Sequence, residues 1–358
     1  MKHRFFALTL ILLLLLGGCA HARTPSTESA ATATPTDAAT VSPAPPATAE
    51  APAGTEAPAT TETRPGEPTS DAVHPMLFRV TDENGQEMYL FGTIHAGDAR
   101  SKLALQQLTP VLDGCDALAV EFDIVAYETN YPAQLADVQQ FLLDDGTTVD
   151  AHMPAELYER AVALVAEARL KPNIMKYYKL SWWSQLVDQA ALISHSSLDL
   201  NAGMDRYLIQ YCYDRQIEVR DVESSALQYG LVASFSDALS LLLIEYTLDN
   251  LDSYGEEIER LYSVWLEGNY EHIAALLSEE DESQQQALTQ EQKALLADYN
   301  DRMLTRRNLG MRDRALEWMQ AGDKVFFAVG AAHLVGEDGL VELLRAAGCT
   351  VEQINEQG

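Results

Sequence analysis

The sequence predicts an α/β domain: a central mixed β-sheet flanked by helices, with a large helical insertion between the N- and C-terminal parts of the sheet. Short apolar runs at 88–91, 117–120 and 325–329 have the length and the glycine or polar boundaries of buried strands. The middle of the chain instead repeats apolar residues at helical spacing. Strands therefore bracket helices along the chain, the order expected when helices cover a sheet.

The first element is a hairpin, residues 77–80 and 87–91, joined through Asp82-Glu83-Asn84-Gly85. Asn-Gly supplies the positive φ angles that tight hairpins want. A helix over 103–112 and a strand ending at Glu121 make a βαβ unit with the second hairpin strand. From 137 to 200 the chain reads as helical. Pro154 opens a run over 155–170 whose Leu157, Ala161, Leu164, Val165 and Ala168 share one face. Trp182, Trp183, Leu186, Val187, Ala190 and Ile193 form a second amphipathic stretch, read as core packing. His195 ends that helix, and His152 and His272 read as surface or satisfied positions. A helix from Gly203-Met204-Asp205 to about residue 215 leads into a strand ending at Glu223. Further helices are expected over 239–249, 256–266, 270–277 and 285–319, the last interrupted at Gly310. A helix over 340–346, ended by Gly348, and a strand over 350–354 close the chain.

The N-terminus carries addressing information. Lys2-His3-Arg4 precedes a twelve-residue stretch, Phe5 to Leu16, apolar but for Thr9 and too short to span a bilayer, and then Gly17-Gly18-Cys19. Residues 1–19 are thus expected to be a lipoprotein signal, cut before a lipidated Cys19. Residues 20–72, rich in Pro, Thr and Ala and poor in large apolar side chains, cannot bury enough surface to offset the entropy of ordering and read as a disordered linker. The folded domain is expected over 73–358, held on the extracytoplasmic face of the cell membrane through the lipid anchor alone. Acidic residues outnumber basic ones 54 to 24, for a net charge of −30, which opposes binding to nucleic acid. Without Cys19, three cysteines remain, an odd number that argues against a disulfide framework.

Chemistry concentrates at four strand ends. Gly92-Thr93-Ile94-His95 and Gly330-Ala331-Ala332-His333 follow apolar strands, and two further strands deliver Glu121 and Glu223. In an open α/β sheet ligands bind beyond the carboxyl ends of the strands, so side chains far apart in sequence can meet there. The expected product is one functional cluster of two imidazoles and two carboxylates.

These residues, in this order, resemble the TraB/GumN family, also called TIKI-like. The resemblance spans about residues 74–355. It rests on Phe91-Gly-Thr-Ile-His95, Val120-Glu121, Gly203-Met204-Asp205, Val222-Glu223, Arg307-Asn308 and the run from Ala328 through His333 to Gly336. Val222 stands where the family usually has leucine, and Ser224 where threonine is common. The resemblance implies a metal-dependent hydrolase fold, whose animal members are Mn- or Co-dependent metalloproteases acting on secreted proteins. His95, His333 and Glu121 then supply two nitrogens and one oxygen to a divalent ion, with a position open for a water nucleophile. Mixed ligation admits Mn, Co, Zn or Fe. Glu223 is the candidate general base, in a role exchangeable with that of Glu121. Arg307 either stabilises an oxyanion, pairs with a substrate carboxylate or bridges to a structural carboxylate, and Asn308 is expected to orient it. Asp205 is read as capping its helix, with orientation of a liganding histidine as the other role. The function expected is a metalloprotease with a peptide or protein substrate. A metal-dependent esterase, and a non-catalytic envelope protein that binds a metal, cofactor or partner, are the alternatives.

Overall fold

The computed structural model describes residues 73–278 and 288–354. The expected signal sequence, Cys19 and the expected linker to residue 72 lie outside the described residues. Six strands form one sheet in the order β4-β3-β5-β2-β1-β6. The strands are β1 (Leu77–Thr81), β2 (Glu87–Thr93), β3 (Ala117–Val120), β4 (Glu218–Asp221), β5 (Val325–Gly330) and β6 (Thr350–Gln353).

The β1–β2 hairpin forms, though of the Asn-Gly pair only Gly85 takes a positive φ. The Asp82 carboxylate accepts the backbone N–H groups of Asn84 and Gln86 at 2.9 and 2.8 Å, and Gly85 sits at φ +81°. β2, β5, β3 and β4 run parallel, so their carboxyl ends share one edge of the sheet. β5, between β2 and β3, is buried at every residue, as a parallel strand covered on both faces requires.

The helices follow the expected order. α1 (Ser101–Leu112) crosses from β2 to β3; α2 (Ile124–Tyr127) and α3 (Tyr131–Gln139) leave the sheet; α4 (Ala155–Glu167), α5 (Pro172–Met175) and α6 (Leu180–His195) begin the helical layer. α4 buries Leu157, Ala161, Leu164 and Val165, one face at the predicted spacing. α6 departs from the amphipathic expectation: every residue from Leu180 to Leu192 is buried. The reason is tertiary, because α4, α9 and α10 all pack on it. α7 (Met204–Arg215) leads into β4, and α8 (Ser225–Ala233), α9 (Asp237–Asp249), α10 (Leu251–Leu266) and α11 (Tyr270–Ser278) follow. α8 was not expected from the apolar pattern. Its signal is local, since Ser224 accepts the Leu227 N–H as an N-cap.

The run predicted over 285–319 also differs from expectation where it is described, residues 285–287 lying outside the described residues. α12 (Gln290–Asn300) passes through a π-helical turn, Asp301–Thr305, into α13 (Arg306–Ala321). Gly310 lies inside α13 without breaking it, and Gly322 at φ +84° ends it instead. α14 (Leu340–Ala346) and β6 finish the chain. Cys115, Cys212 and Cys349 are free thiols. No single helix among the described residues is long and apolar enough to cross a membrane.

Candidate active site

The common edge of the parallel strands collects the polar groups. β2 ends two residues before His95, β3 one residue before Glu121, β4 two residues before Glu223, and the turn after β5 carries His333. His95, His333 and Glu121 come close to one another there, and Glu223 joins them through Arg307, which pairs with both carboxylates.

His95 is held from behind. Its Nδ1 lies 2.7 Å from Asp205 Oδ2, and Thr93 Oγ1 donates to the other carboxylate oxygen at 2.7 Å. A carboxylate only accepts, so Nδ1 carries the proton and Nε2 faces away from it. Asp205 reaches this position because the start of α7 packs on the His95 turn: Met204 N–H donates to Ile94 O at 2.9 Å, and a Cβ on Gly203 would collide with the His95 carbonyl. Asp205 therefore orients His95 and does not cap α7, whose N-cap is Gly203 with no side-chain bond.

His333 is held in the same way by a neutral partner. Its Nδ1 lies 2.6 Å from Asn308 Oδ1, while Asn308 Nδ2 donates to Asp338 O at 2.8 Å and so fixes the amide's orientation. Asn308 thus positions His333, where the sequence suggested it would orient Arg307. The resulting tautomer leaves His333 Nε2 with a lone pair, fully buried and without a hydrogen-bond partner.

Burial lowers the pKa of both imidazoles, with opposite outcomes. At His95 the Asp205 charge and hydrogen bond, helped by Glu121, outweigh burial and raise it above the ordinary value. His333 has no carboxylate behind it, and burial together with the Arg307 charge pushes it down to about 3. His333 is therefore a neutral base at ordinary pH.

Glu121 stands beside the imidazoles. Its Oε1 accepts the Gly330 N–H at 2.9 Å and lies 3.8 Å from His333 Nε2. Its Oε2 takes Arg307 Nη2 at 2.5 Å and Gln228 Nε2 at 2.9 Å. Burial would raise this carboxyl, but Arg307, the two histidines and the Gly330 N–H hold it well below the usual carboxylate range. Glu223 receives Arg307 Nε at 2.9 and 3.0 Å, Arg307 Nη2 at 2.6 Å and Gln228 Nε2 at 2.9 Å. Arg307 and Gln228 thus bridge both carboxylates. The remaining Arg307 nitrogen donates to Met303 O, within the π-helical turn, at 3.2 Å. The π-helical turn lies immediately before the helix that carries Arg307, and such turns are frequent at functional sites.

Gln228, on α8, is the component missed at the sequence level. The available signal was the Ser224 cap immediately after Glu223, which opens a helix and places Gln228 one turn in. His152 and His272 stay outside the cluster. The first lies by Asp145 and Thr147, and the second pairs with Glu267 on the surface.

A cation's place can be tested on this geometry. Gly330 leaves a gap: a Cβ there would sit 3.3 Å from Glu121 Oε1, 3.5 Å from His95 Nε2 and 3.7 Å from His333 Cδ2. By chemistry alone, two imidazole nitrogens and one carboxylate oxygen are a donor set suited to a divalent ion. Among the described residues, no group of three or more His, Cys, Asp or Glu side chains is arranged so that it could hold a metal ion.

These features define an α/β protein with a buried His/Glu/Arg cluster at the carboxyl edge of its parallel strands. The chain belongs to the TraB/PrgY/gumN family, whose sequence model matches residues 76–353. It is 24% identical over 269 residues to the uncharacterized protein YbaP of Escherichia coli (strain K12), covering 74% of this chain and 90% of that protein. YbaP of Shigella flexneri matches with the same identity and coverage. No solved structure matches the chain.

Proposed function

We propose that this protein is a lipid-anchored, extracytoplasmic, metal-dependent hydrolase that cleaves peptide or protein substrates with a metal-activated water. The observation that carries this reading is His333 Nε2, a lone pair buried without a hydrogen-bond partner 3.8 Å from Glu121 Oε1, on a ring that shares the space at Gly330 with His95 Nε2. An unpaired buried acceptor costs about 1–3 kcal/mol, a cost that ligation would remove.

In this reading His95, His333 and Glu121 hold the ion, and Asp205 and Asn308 keep the imidazoles aimed. A bound divalent ion supplies a water of lowered pKa and polarises the scissile carbonyl. Glu223 accepts the proton, which requires one of its oxygens to leave Arg307. Arg307 then has an N–H free for developing negative charge on the substrate. Cys19, after Gly17-Gly18, is the proposed lipid attachment point, leaving the domain on the outer face of the membrane.

One observation favours a second reading. Arg307 occupies both oxygens of Glu223 and one of Glu121, the arrangement of a purely structural ion-pair network, as in a non-catalytic envelope protein that binds a metal or partner. Elemental analysis of the full chain beside the His95→Ala/His333→Ala double variant tests the site. About one divalent ion per chain is expected, lost in the variant; unchanged metal content overturns the assignment. Parallel peptide and ester libraries decide the bond, and stoichiometric metal with no turnover on either supports the non-catalytic reading.

A further inference from the structure

An apolar cavity opens beside the gap at Gly330. His95 and Gly330 form its inner end, and Leu261 and Trp265 of α10 with Ile273 and Leu277 of α11 form its walls. It holds about 40 Å³. One water-sized sphere needs roughly 10–15 Å³, so the space takes a few heavy atoms and not an indole. The wall is stiff where Trp265 stands, since its indole N–H donates to Gly92 O at 2.8 Å and its ring stacks on Tyr262.

The side-chain polar groups of this lining are already committed, with one exception. Thr93 Oγ1 is given to Asp205 and Trp265 Nε1 to Gly92 O, so His95 Nε2 is the one side-chain polar atom of this lining without a partner among the described residues. A polar or charged occupant lying along the apolar walls would be stripped of water with nothing there to replace it. An aliphatic group loses nothing on entry and gains burial.

We infer that this cavity is a specificity subsite for a short aliphatic side chain, and that the substrate is a peptide carrying Val, Leu, Ile or Met beside the bond presented to the His95/His333 gap. The inference rests on the hydrolase reading for the word substrate, but the binding preference is a property of the cavity itself. Leu277 on α11 is half-buried, as Leu261 is, whereas Trp265 and Ile273 are fully buried, so it is a wall residue whose change disturbs the core little.

The test is equilibrium binding, without added metal, of fluorescent tetrapeptides differing at one position, Leu, Asn, Lys or Glu, to the full chain. The Leu peptide is expected to bind about tenfold tighter than the others, the order expected for taking one aliphatic side chain out of water. Leu277→Asp, which adds a charge to the wall, and Leu277→Trp, which fills the space, are each expected to abolish the difference while melting cooperatively. Equal binding of all four peptides by the unmodified chain, or a preference that survives both substitutions, overturns the subsite. Cleavage without an aliphatic preference overturns the subsite alone. An aliphatic preference with no turnover after metal loading overturns the hydrolase reading and leaves the subsite standing.

Discussion

The turn after β2 and the turn after β5 carry the same Gly-X-X-His spacing and deliver their imidazoles to the same gap, yet a carboxylate backs one and a carboxamide the other. Asp205 behind His95 raises its proton affinity, whereas Asn308 behind His333 leaves burial and Arg307 to lower it to about 3. One motif thus gives two imidazoles of different character. The determinant is the residue touching Nδ1, more than a hundred positions away for His95 and 25 for His333. Two donors of unlike basicity around one gap suit a site where one imidazole must stay unprotonated at every physiological pH.

The largest effect is expected from removing the charge between the two turns. Arg307→Ala leaves Glu121 and Glu223 buried without a counter-charge, and breaking a buried ion pair in this way costs about 3–5 kcal/mol. Chemical denaturation measures it. A loss below about 1 kcal/mol would mean that the carboxylates are not held by Arg307 and that the contrast between the histidines has another origin.

A smaller effect should come from erasing the difference itself. The folded-state pKa of His333 lies below its unfolded value of about 6.5, so as pH falls the unfolded chain takes up a proton that the folded chain refuses until about pH 3. Stability is therefore lost from about pH 6.5 downward. At His95 the sign is opposite: the raised folded pKa gives stability that is present below about 6.5 and lost as pH rises through the folded value. Asn308→Asp should convert His333 to the His95 pattern. Between pH 7 and 5 the unmodified chain is expected to lose, relative to the variant, on the order of 2 kcal/mol. Melting at the two pH values gives the difference, and NMR titration of labelled histidines locates it. An Asn308→Asp protein with an unchanged His333 titration would break the comparison.

The smallest effect is steric. Gly330→Ala places a methyl 3.3 Å from Glu121 Oε1 and 3.5 Å from His95 Nε2, at an ordinary φ of −50°. Stability should fall by about 1 kcal/mol, the low end for overpacking, while divalent-ion uptake falls sharply because the methyl occupies the gap. Full uptake by Gly330→Ala would place the ion elsewhere.

How much of this was readable in the sequence depends on where each interaction is made. The strand ends were readable, because an apolar run closed by glycine is a local pattern and parallel strands share one carboxyl edge. The roles of Asp205 and Asn308 were not, since a side chain just inside a helix looks like a cap until its spatial neighbour is known. Asp205 instead reaches Thr93 and His95 across 112 and 110 residues. Gln228 was missed for the same reason: its partners, Glu121 and Glu223, come together only when β3 pairs with β4. α6 looked amphipathic because its polar positions repeat, and only the packing of three helices around it buries them.

From the residues alone came the α/β class, the hairpin, the four strand ends and the chemical kinds of group they carry. These depend on backbone preference and apolar periodicity, which act over a few neighbours. Folding decided which atom of each imidazole faces the gap, which histidine favours its proton, how one arginine joins two carboxylates, and where an apolar cavity meets the polar cluster. Those properties depend on distances of 3–4 Å between residues from different elements, and charge and hydrogen bonding act through such distances whatever the separation along the chain.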